Sequence, residues 1–148
     1  MIFKELVSKD IKNILKLTQQ LNSETSIKIL NELQQEMFTF RNYKCFGIYK
    51  NDELIGLSSG WMTIRLYSGK QLEIDNVIID KPFQSQGYGK ILLDYIENWA
   101  LKNACKTIEL NTYVENSRSH KFYFNQGYKV LGFHFQKYIG TNIKNLNK

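Results

Sequence analysis

Val77-Ile78-Ile79-Asp80-Lys81-Pro82-Phe83-Gln84-Ser85-Gln86-Gly87-Tyr88-Gly89-Lys90 runs from an apolar strand, through a turn with two glycines, into the start of a helix. Pro82 stops the strand because it has no N–H to give to a ladder. A turn of this kind aims several backbone N–H groups at one anion, with the positive end of the helix behind them. Glycine suits it by leaving room for close approach and by accepting φ > 0. Two common phosphate loops fail to match. The nucleotide P-loop needs Gly and Ser/Thr where this chain has Gln84 and Ile91, and the dinucleotide fingerprint needs Gly where it has Leu92.

Upstream, residues 2–7 read as a strand. Ser8 is positioned to cap a helix carrying Ile11, Ile14, Leu15 and Thr18 at helical spacing, and a second helical pattern runs from Ser26 through Ile27, Leu30, Leu33 and Met37. The period then changes. Residues 45–49 and 54–66 are β-type runs joined by Asn51-Asp52-Glu53, and the turn Tyr67-Ser68-Gly69-Lys70 leads into a strand at 71–79. Downstream, Leu92, Ile96, Trp99 and Asn103 share a helix face with Tyr95 beside them. Residues 107–114 read as a strand, 117–126 as a short helix ended by Gly127, and 128–138 as a final strand. The fold expected is α/β, of the α+β kind: one domain with a mixed sheet and helices on both faces, in which 71–114 is a right-handed parallel strand–helix–strand unit.

Composition sets the outer limits. A chain of 148 residues, 43% hydrophobic and 14% aromatic, buries a core without staples; at 23% charged it is not a disordered chain. We expect one domain over 1–140 and a polar, loose tail over 141–148. Twenty basic against fourteen acidic residues give a net charge of +6, but dispersed. That balance suits a cofactor with several phosphates, and without clustered cations or a recognition helix no nucleic-acid partner is expected. No apolar run approaches a bilayer span and the N-terminus lacks a leader's apolar segment, so no membrane partner and a cytoplasmic location are expected. Cys45 and Cys105 are read as reduced core residues. No His/Cys/Asp cluster has metal-ligand spacing, so no metal is expected.

Gln84-Ser85-Gln86-Gly87-Tyr88-Gly89 fits the pattern Q/R-x-x-G-x-G/A. Asn116-Ser117-Arg118-Ser119-His120-Lys121-Phe122-Tyr123-Phe124-Asn125-Gln126-Gly127-Tyr128 resembles N-x-x-A-x-x-x-Y-x-x-x-G-F, with Ser119 for Ala and Tyr128 for Phe. With the element order, these two motifs make nearly the whole chain resemble the GNAT family of N-acetyltransferases, in its small bacterial form. The resemblance implies a mostly antiparallel sheet whose one parallel pair, 71–79 and 107–114, splays to admit the pantetheine arm of acetyl-CoA. It implies arm contacts on the backbone of Val77, Ile78 and Ile79. The pyrophosphate falls on N–H groups of Gln84, Ser85, Gln86, Gly87, Tyr88, Gly89 and Lys90. Asn116 and Ser119 lie in the second motif beside the arm, and Lys90, Arg118 or Lys121 meets the outer phosphate. A homodimer is compatible with the resemblance.

Acetyl transfer to an amine needs a proton acceptor for the ammonium, donors for the developing oxyanion and an acid for the departing thiolate. The resemblance places Tyr123 beside the cofactor sulfur as that acid, and puts acidic residues of the family at Glu73 and Asp75. Strand alternation sets Glu73, Asp75, Val77 and Ile79 on one face and Leu72, Ile74, Asn76 and Ile78 on the other, an order that the bulge the resemblance implies at this place would disturb. Both carboxylates are candidates for the base, directly or through water, or for binding the ammonium. His120 and His134 are not required by the pattern. Tyr43, Trp61, Arg65 and Tyr67 are candidate walls for the acceptor, a small primary amine by this reading. A protein or peptide amine, or a non-catalytic acyl-CoA-binding module, are the alternatives.

Overall fold

In the computed structural model, which describes residues 1–146, the elements run β1 (Ile2–Glu5), α1 (Ile11–Leu21), α2 (Ile27–Met37), β2 (Tyr43–Lys50), β3 (Glu53–Arg65), β4 (Gly69–Ile79), α3 (Tyr88–Lys102), β5 (Thr107–Leu110) and α4 (Ser117–Asn125). The sheet order is β1-β2-β3-β4-β5, antiparallel until the parallel β4–β5 pair. Local chemistry explains the connections. Asn51 and Asp52, at φ 49° and 63°, supply the two left-handed residues that a tight hairpin demands. Return to a parallel β5 requires a crossover, which α3 provides.

The helices cover both faces. Phe46, Ile48, Leu72, Ile74, Leu92 and Ile96 form the core beneath α3, with Phe122 and Tyr123 of α4 packed against it. Ile14, Leu17, Tyr43, Cys45, Leu57 and Ile78 form the core on the α1 side. Ser26 caps α2 through Oγ, which accepts from Ile29 N at 3.3 Å. Ser8 does not cap α1. The Asp10 carboxylate takes the Val7 N–H at 2.9 Å, and a 3-10 turn at Ser8–Asp10 comes first. On α3 the buried stripe is Leu92, Leu93, Ile96 and Ala100, whereas Asn103 lies exposed at the C-cap.

One irregularity governs the centre of the sheet. Ser58 pairs with Val77 and Gly60 with Ile74, so Asp75 and Asn76 of β4 together oppose Ser59 of β3. This is a β-bulge, which flips the alternation beyond it. Val77 and Ile79 therefore join Leu72 and Ile74 on the α3 side, while Ile78 faces α1. The alternation read from sequence fails from Asn76 onward, disturbed by the bulge that the resemblance implied. The β4–β5 ladder covers only Gln71 to Ile74 against Thr107 to Leu110, where β5 ends; residues 111–114 of the expected strand form none.

The C-terminal third departs from expectation twice. Residues 128–138 form no strand: from Lys129 to Thr141 no backbone hydrogen bond is made among the described residues. Alternation reports compatibility with a pleat and cannot supply the neighbouring strand that a ladder requires. The tail, in turn, carries local structure. Ile143–Asn145 forms a 3-10 turn capped by Asn142, and Lys144 pairs with Glu24 at 3.1 Å. Residues 147–148 of the expected tail lie outside the described residues.

A Cβ built on Gly60, beside the bulge, lies 2.7 Å from the Glu73 carbonyl oxygen. Gly60→Ala is expected to cost about 1–3 kcal/mol through overpacking against backbone, read as a lowered urea midpoint. An unchanged midpoint contradicts this tight register.

Candidate active site

The turn after β4 is built to leave donors open. Asp80 Oδ1 accepts from Lys81 N at 2.8 Å and begins a 3-10 turn at Lys81–Phe83. Gln84 Nε2 donates back to the Ile79 carbonyl at 2.9 Å, and Gln86 Nε2 to the Pro82 carbonyl at 3.0 Å. Ser85 and Gly87 then adopt φ 61° and 85°, and Gly87 enters α3 as an N-cap with no side-chain capping bond. No backbone N–H from Ser85 to Lys90 finds an acceptor among the described residues, and the first helical bond runs from Ile91 N to the Gly87 carbonyl. Such open amides at a helix start suit an anion. A Cβ on Gly87 would meet nothing within 4 Å, so it is the positive φ that calls for glycine there.

The cations expected near this turn separate. Lys90 is paired with Asp94 at 2.7 Å, one turn along α3. Arg118 reaches back from α4, and its Nη2 donates to Ser85 Oγ at 3.0 Å. Lys121 is exposed. Asn116 caps α4, its Oδ1 accepting from Ser119 N at 3.2 Å, which leaves Asn116 Nδ2 without a partner among the described residues. His120 Nε2 lies 2.8 Å from the Tyr113 carbonyl and ties α4 to the loop after β5.

Beyond Ile74 the β5-facing edge of β4 makes no ladder among the described residues, so the backbone of Val77, Ile78 and Ile79 lies along an open edge past the end of β5. Tyr123, half-buried on α4, stacks edge-on against Phe122 and Tyr128 at centroid distances of 5.2 and 5.6 Å. Burial pushes its phenol up to about 12 from the ordinary 10.0. Its hydroxyl makes no hydrogen bond among the described residues, so it is free to donate outward.

The bulge gathers Asp75 into a polar cluster. Its Oδ1 accepts from Ser59 Oγ at 2.5 Å and Asn76 Nδ2 at 2.9 Å, and its Oδ2 from Trp61 Nε1 at 3.1 Å. Three donors match an ionised carboxylate. Tyr43, whose phenol is pushed up by burial and then by the nearby Cys45, accepts from Gln34 Nε2 at 2.9 Å and stacks on Trp61. Beside Asp75 opens a cavity of about 270 Å³, walled by Thr18, Asn22, Leu30, Gln34, Met37 and Ile143 among others. Asp75 is exposed and Glu73 half-buried, so neither is the buried carboxylate that a desolvated base requires. Glu73 sits further along β4, paired with Arg65 at 3.4 Å; its β5 neighbour Glu109 accepts from Tyr67 at 2.8 Å. Of the candidate walls, Tyr43 and Trp61 therefore meet at Asp75, while Arg65 and Tyr67 belong with Glu73. Ser59 and Asn76 carry no signal in the sequence, because only the bulge sets them together against Asp75, and Gln34 reaches Tyr43 from α2.

Both cysteines are free and buried, and burial pushes the Cys45 thiol up to about 12, which keeps it inert. Among the described residues no group of His, Cys, Asp and Glu is placed to hold a metal ion, and no helix is long and apolar enough to cross a membrane.

Similarity to known proteins follows the same outline. The chain is 28% identical over 123 residues to an uncharacterized N-acetyltransferase, YhdJ, of Bacillus subtilis, covering 83% of this chain and 81% of that protein. It is 30% identical over 89 residues to the aminoalkylphosphonate N-acetyltransferase of Salmonella typhimurium, covering 60% of this chain and 58% of that protein. The fold matches that of the aminoglycoside N-acetyltransferase AAC(6')-Iy, solved in complex with CoA, with a TM-score of 0.82 at 14% identity over 94% of this chain and 95% of that one. The profile of the Acetyltransferase (GNAT) family matches residues 11–128, and with its turn, open β4 edge and helix order the chain belongs to that family.

Proposed function

We propose that this enzyme transfers the acetyl group of acetyl-CoA to a primary amine of a small molecule, by direct attack within a ternary complex. The observation that carries the reading is the open row of amides from Ser85 to Lys90, set behind the open edge of β4. As co-substrate, acetyl-CoA supplies the thioester. The amides of Ser85 to Lys90 hold its pyrophosphate, Arg118 holds an outer phosphate, and the free edge of Val77–Ile79 pairs with the arm. The CoA relatives support this assignment, and the residues fit it: the donors are unspent and Gly87 faces open space.

Asp75 binds the acceptor's ammonium in the cavity between β4 and the first two helices. Its Ser59, Asn76 and Trp61 donors fix the carboxylate and leave its outward side to the cation. The amine surrenders its proton to Asp75 or Glu73, directly or through water, before its nitrogen attacks the carbonyl carbon. After attack the nitrogen gives up a second proton; as the C–S bond breaks, Tyr123 gives its phenolic proton to sulfur and regains that second proton, directly or through water, so that of the two protons leaving the ammonium one ends on sulfur and one on the carboxylate or solvent. A cavity of about 270 Å³ between β4 and the first two helices favours a small acceptor over a protein chain. The small-molecule substrates named for the aminoalkylphosphonate and aminoglycoside relatives support the same preference. The chain acts as one domain over 1–140, with the tail lending Ile143 to the cavity wall.

Free-thiol release from acetyl-CoA, followed across a panel of alkylamines, aminoalkylphosphonates, aminoglycosides and peptides, tests the reading. Release dependent on a small amine is expected. Equal rates with and without every amine reduce the protein to a binding module, and release with peptides alone moves the acceptor to protein. In that assay Tyr123→Phe should lower kcat by roughly 10²-fold or more, the scale of a lost general acid, with CoA affinity unchanged. Asp75→Asn should lower kcat/KM for the amine by about 10- to 100-fold, as expected for a lost charged hydrogen bond.

Alkaline pH gives a further check. Burial raises the folded Tyr123 phenol to about 12, so it stays protonated while the unfolded chain ionises near 10.0. Its contribution to stability is complete below pH 10 and is lost as pH rises through about 12. The wild-type minus Tyr123→Phe phenolate absorbance should therefore titrate near 12. A midpoint at 10 would mean the ring is not desolvated.

A further inference from the structure

The cavity beside Asp75 is lined in a way that sorts amines by charge. Asp75 is the one acid on its wall, and no Lys, Arg or His lines it among the described residues. One side is apolar, made by Leu30, Leu33, Met37 and Ile143. The polar side chains are tied from within. Thr18 Oγ1 donates to the Ile14 carbonyl at 3.1 Å, Asn22 Nδ2 to the Thr18 carbonyl at 2.8 Å, and Gln34 Nε2 to the Tyr43 hydroxyl at 2.9 Å. Asn76 Nδ2 is shared between Ser59 Oγ and Asp75 Oδ1. The side-chain oxygens of Asn22, Gln34 and Asn76 take no donor among the described residues. Lys144 and Glu24, next in sequence to the lining residues Ile143 and Thr25, neutralise each other at 3.1 Å.

We propose, on the reading that Asp75 binds the acceptor's ammonium, that the acceptor is a monoamine: one ammonium on an uncharged, largely apolar body, an alkylamine or arylalkylamine in class. A carboxylate with amide oxygens near it suits the three N–H groups of an ammonium. Leu30, Leu33, Met37 and Ile143 suit a hydrocarbon body. A phosphonate or carboxylate on the acceptor would lose its water with no cation to meet it and with Asp75 close by. A second ammonium would find no second carboxylate on the wall. At about 270 Å³ the cavity stands at the small end of ligand sites, which suits a short chain or a single ring. The charged acceptors named for the aminoalkylphosphonate and aminoglycoside relatives are thereby disfavoured here, although the fold is shared.

Matched pairs of acceptors read this charge rule in the thiol-release assay: hexylamine against 1,6-diaminohexane, and propylamine against 2-aminoethylphosphonate. A second charge of either sign should lower kcat/KM by about 10-fold or more. From ethylamine to hexylamine kcat/KM should climb by about fourfold per methylene. Leu33→Asp, which adds a carboxylate to the apolar wall, should raise the diamine relative to hexylamine by about 10-fold. Calorimetry of the same amines with the CoA-loaded chain gives the preference without turnover, and hexylamine should bind most tightly. A diamine or phosphonate that binds and reacts as well as its matched monoamine overturns the proposal while acetyl transfer stands. A flat response to chain length overturns it too, as does the binding of none of these amines. Binding in the expected order without thiol release would uphold the cavity's preference and sink the transfer reading instead.

Discussion

The parallel pairing of β4 with β5 lasts four residues on each strand, from Gln71 to Ile74 and Thr107 to Leu110, and stops where the bulge at Asp75–Asn76 begins. A bulge bends and twists the strand that carries it. Because β3 still pairs with β4 beyond that point, β4 cannot collapse onto its other neighbour, and its far edge keeps unspent backbone groups. The same extra residue puts Ser59 opposite Asp75 and Asn76 and fixes the carboxylate against Trp61. One inserted residue thus leaves an edge open on one side of β4 and aims an acid on one face of it.

The turn that follows completes the arrangement. Gln84 and Gln86 direct their side-chain amides backward, onto the Ile79 and Pro82 carbonyls, so the main-chain amides ahead of them stay uncommitted. Gly87 gives α3 a start without a capping side chain, leaving the dipole's positive end unanswered from within the chain. These groups lie at the end of a strand whose core residues, Leu72 and Ile74, are fully or almost fully buried. Rigid support under unspent donors is what preorganised binding requires.

Much of this was readable in the residues. Gln84 through Gly89 and Asn116 through Tyr128 announce their spacing directly, and Asn51-Asp52 names its hairpin by the φ values those side chains tolerate. Leu92 and Ile96 give α3 by period alone. The bulge was legible only through the family resemblance, since it is a mismatch of register between two strands and each strand separately looks regular. Ser59 and Asn76 were hidden for that reason, and so was the facing of Val77 and Ile79. Residues 128–138 misled in the opposite sense: Leu131, Phe133 and Phe135 alternate like a strand, but pairing depends on an edge elsewhere. Ile143 borders the cavity beside α1 and α2 and Lys144 pairs with Glu24 between those helices, although a polar tail gives no local sign of such contacts.

The central claim is that the uncommitted amides after β4, together with the free edge of Val77–Ile79, receive coenzyme A. Amide NMR of the full chain during titration with CoA tests it most directly. The account predicts saturable shifts that are largest at Ser85 through Lys90, followed by Val77 to Ile79. Shifts confined to other regions, or none at saturating CoA, would contradict it.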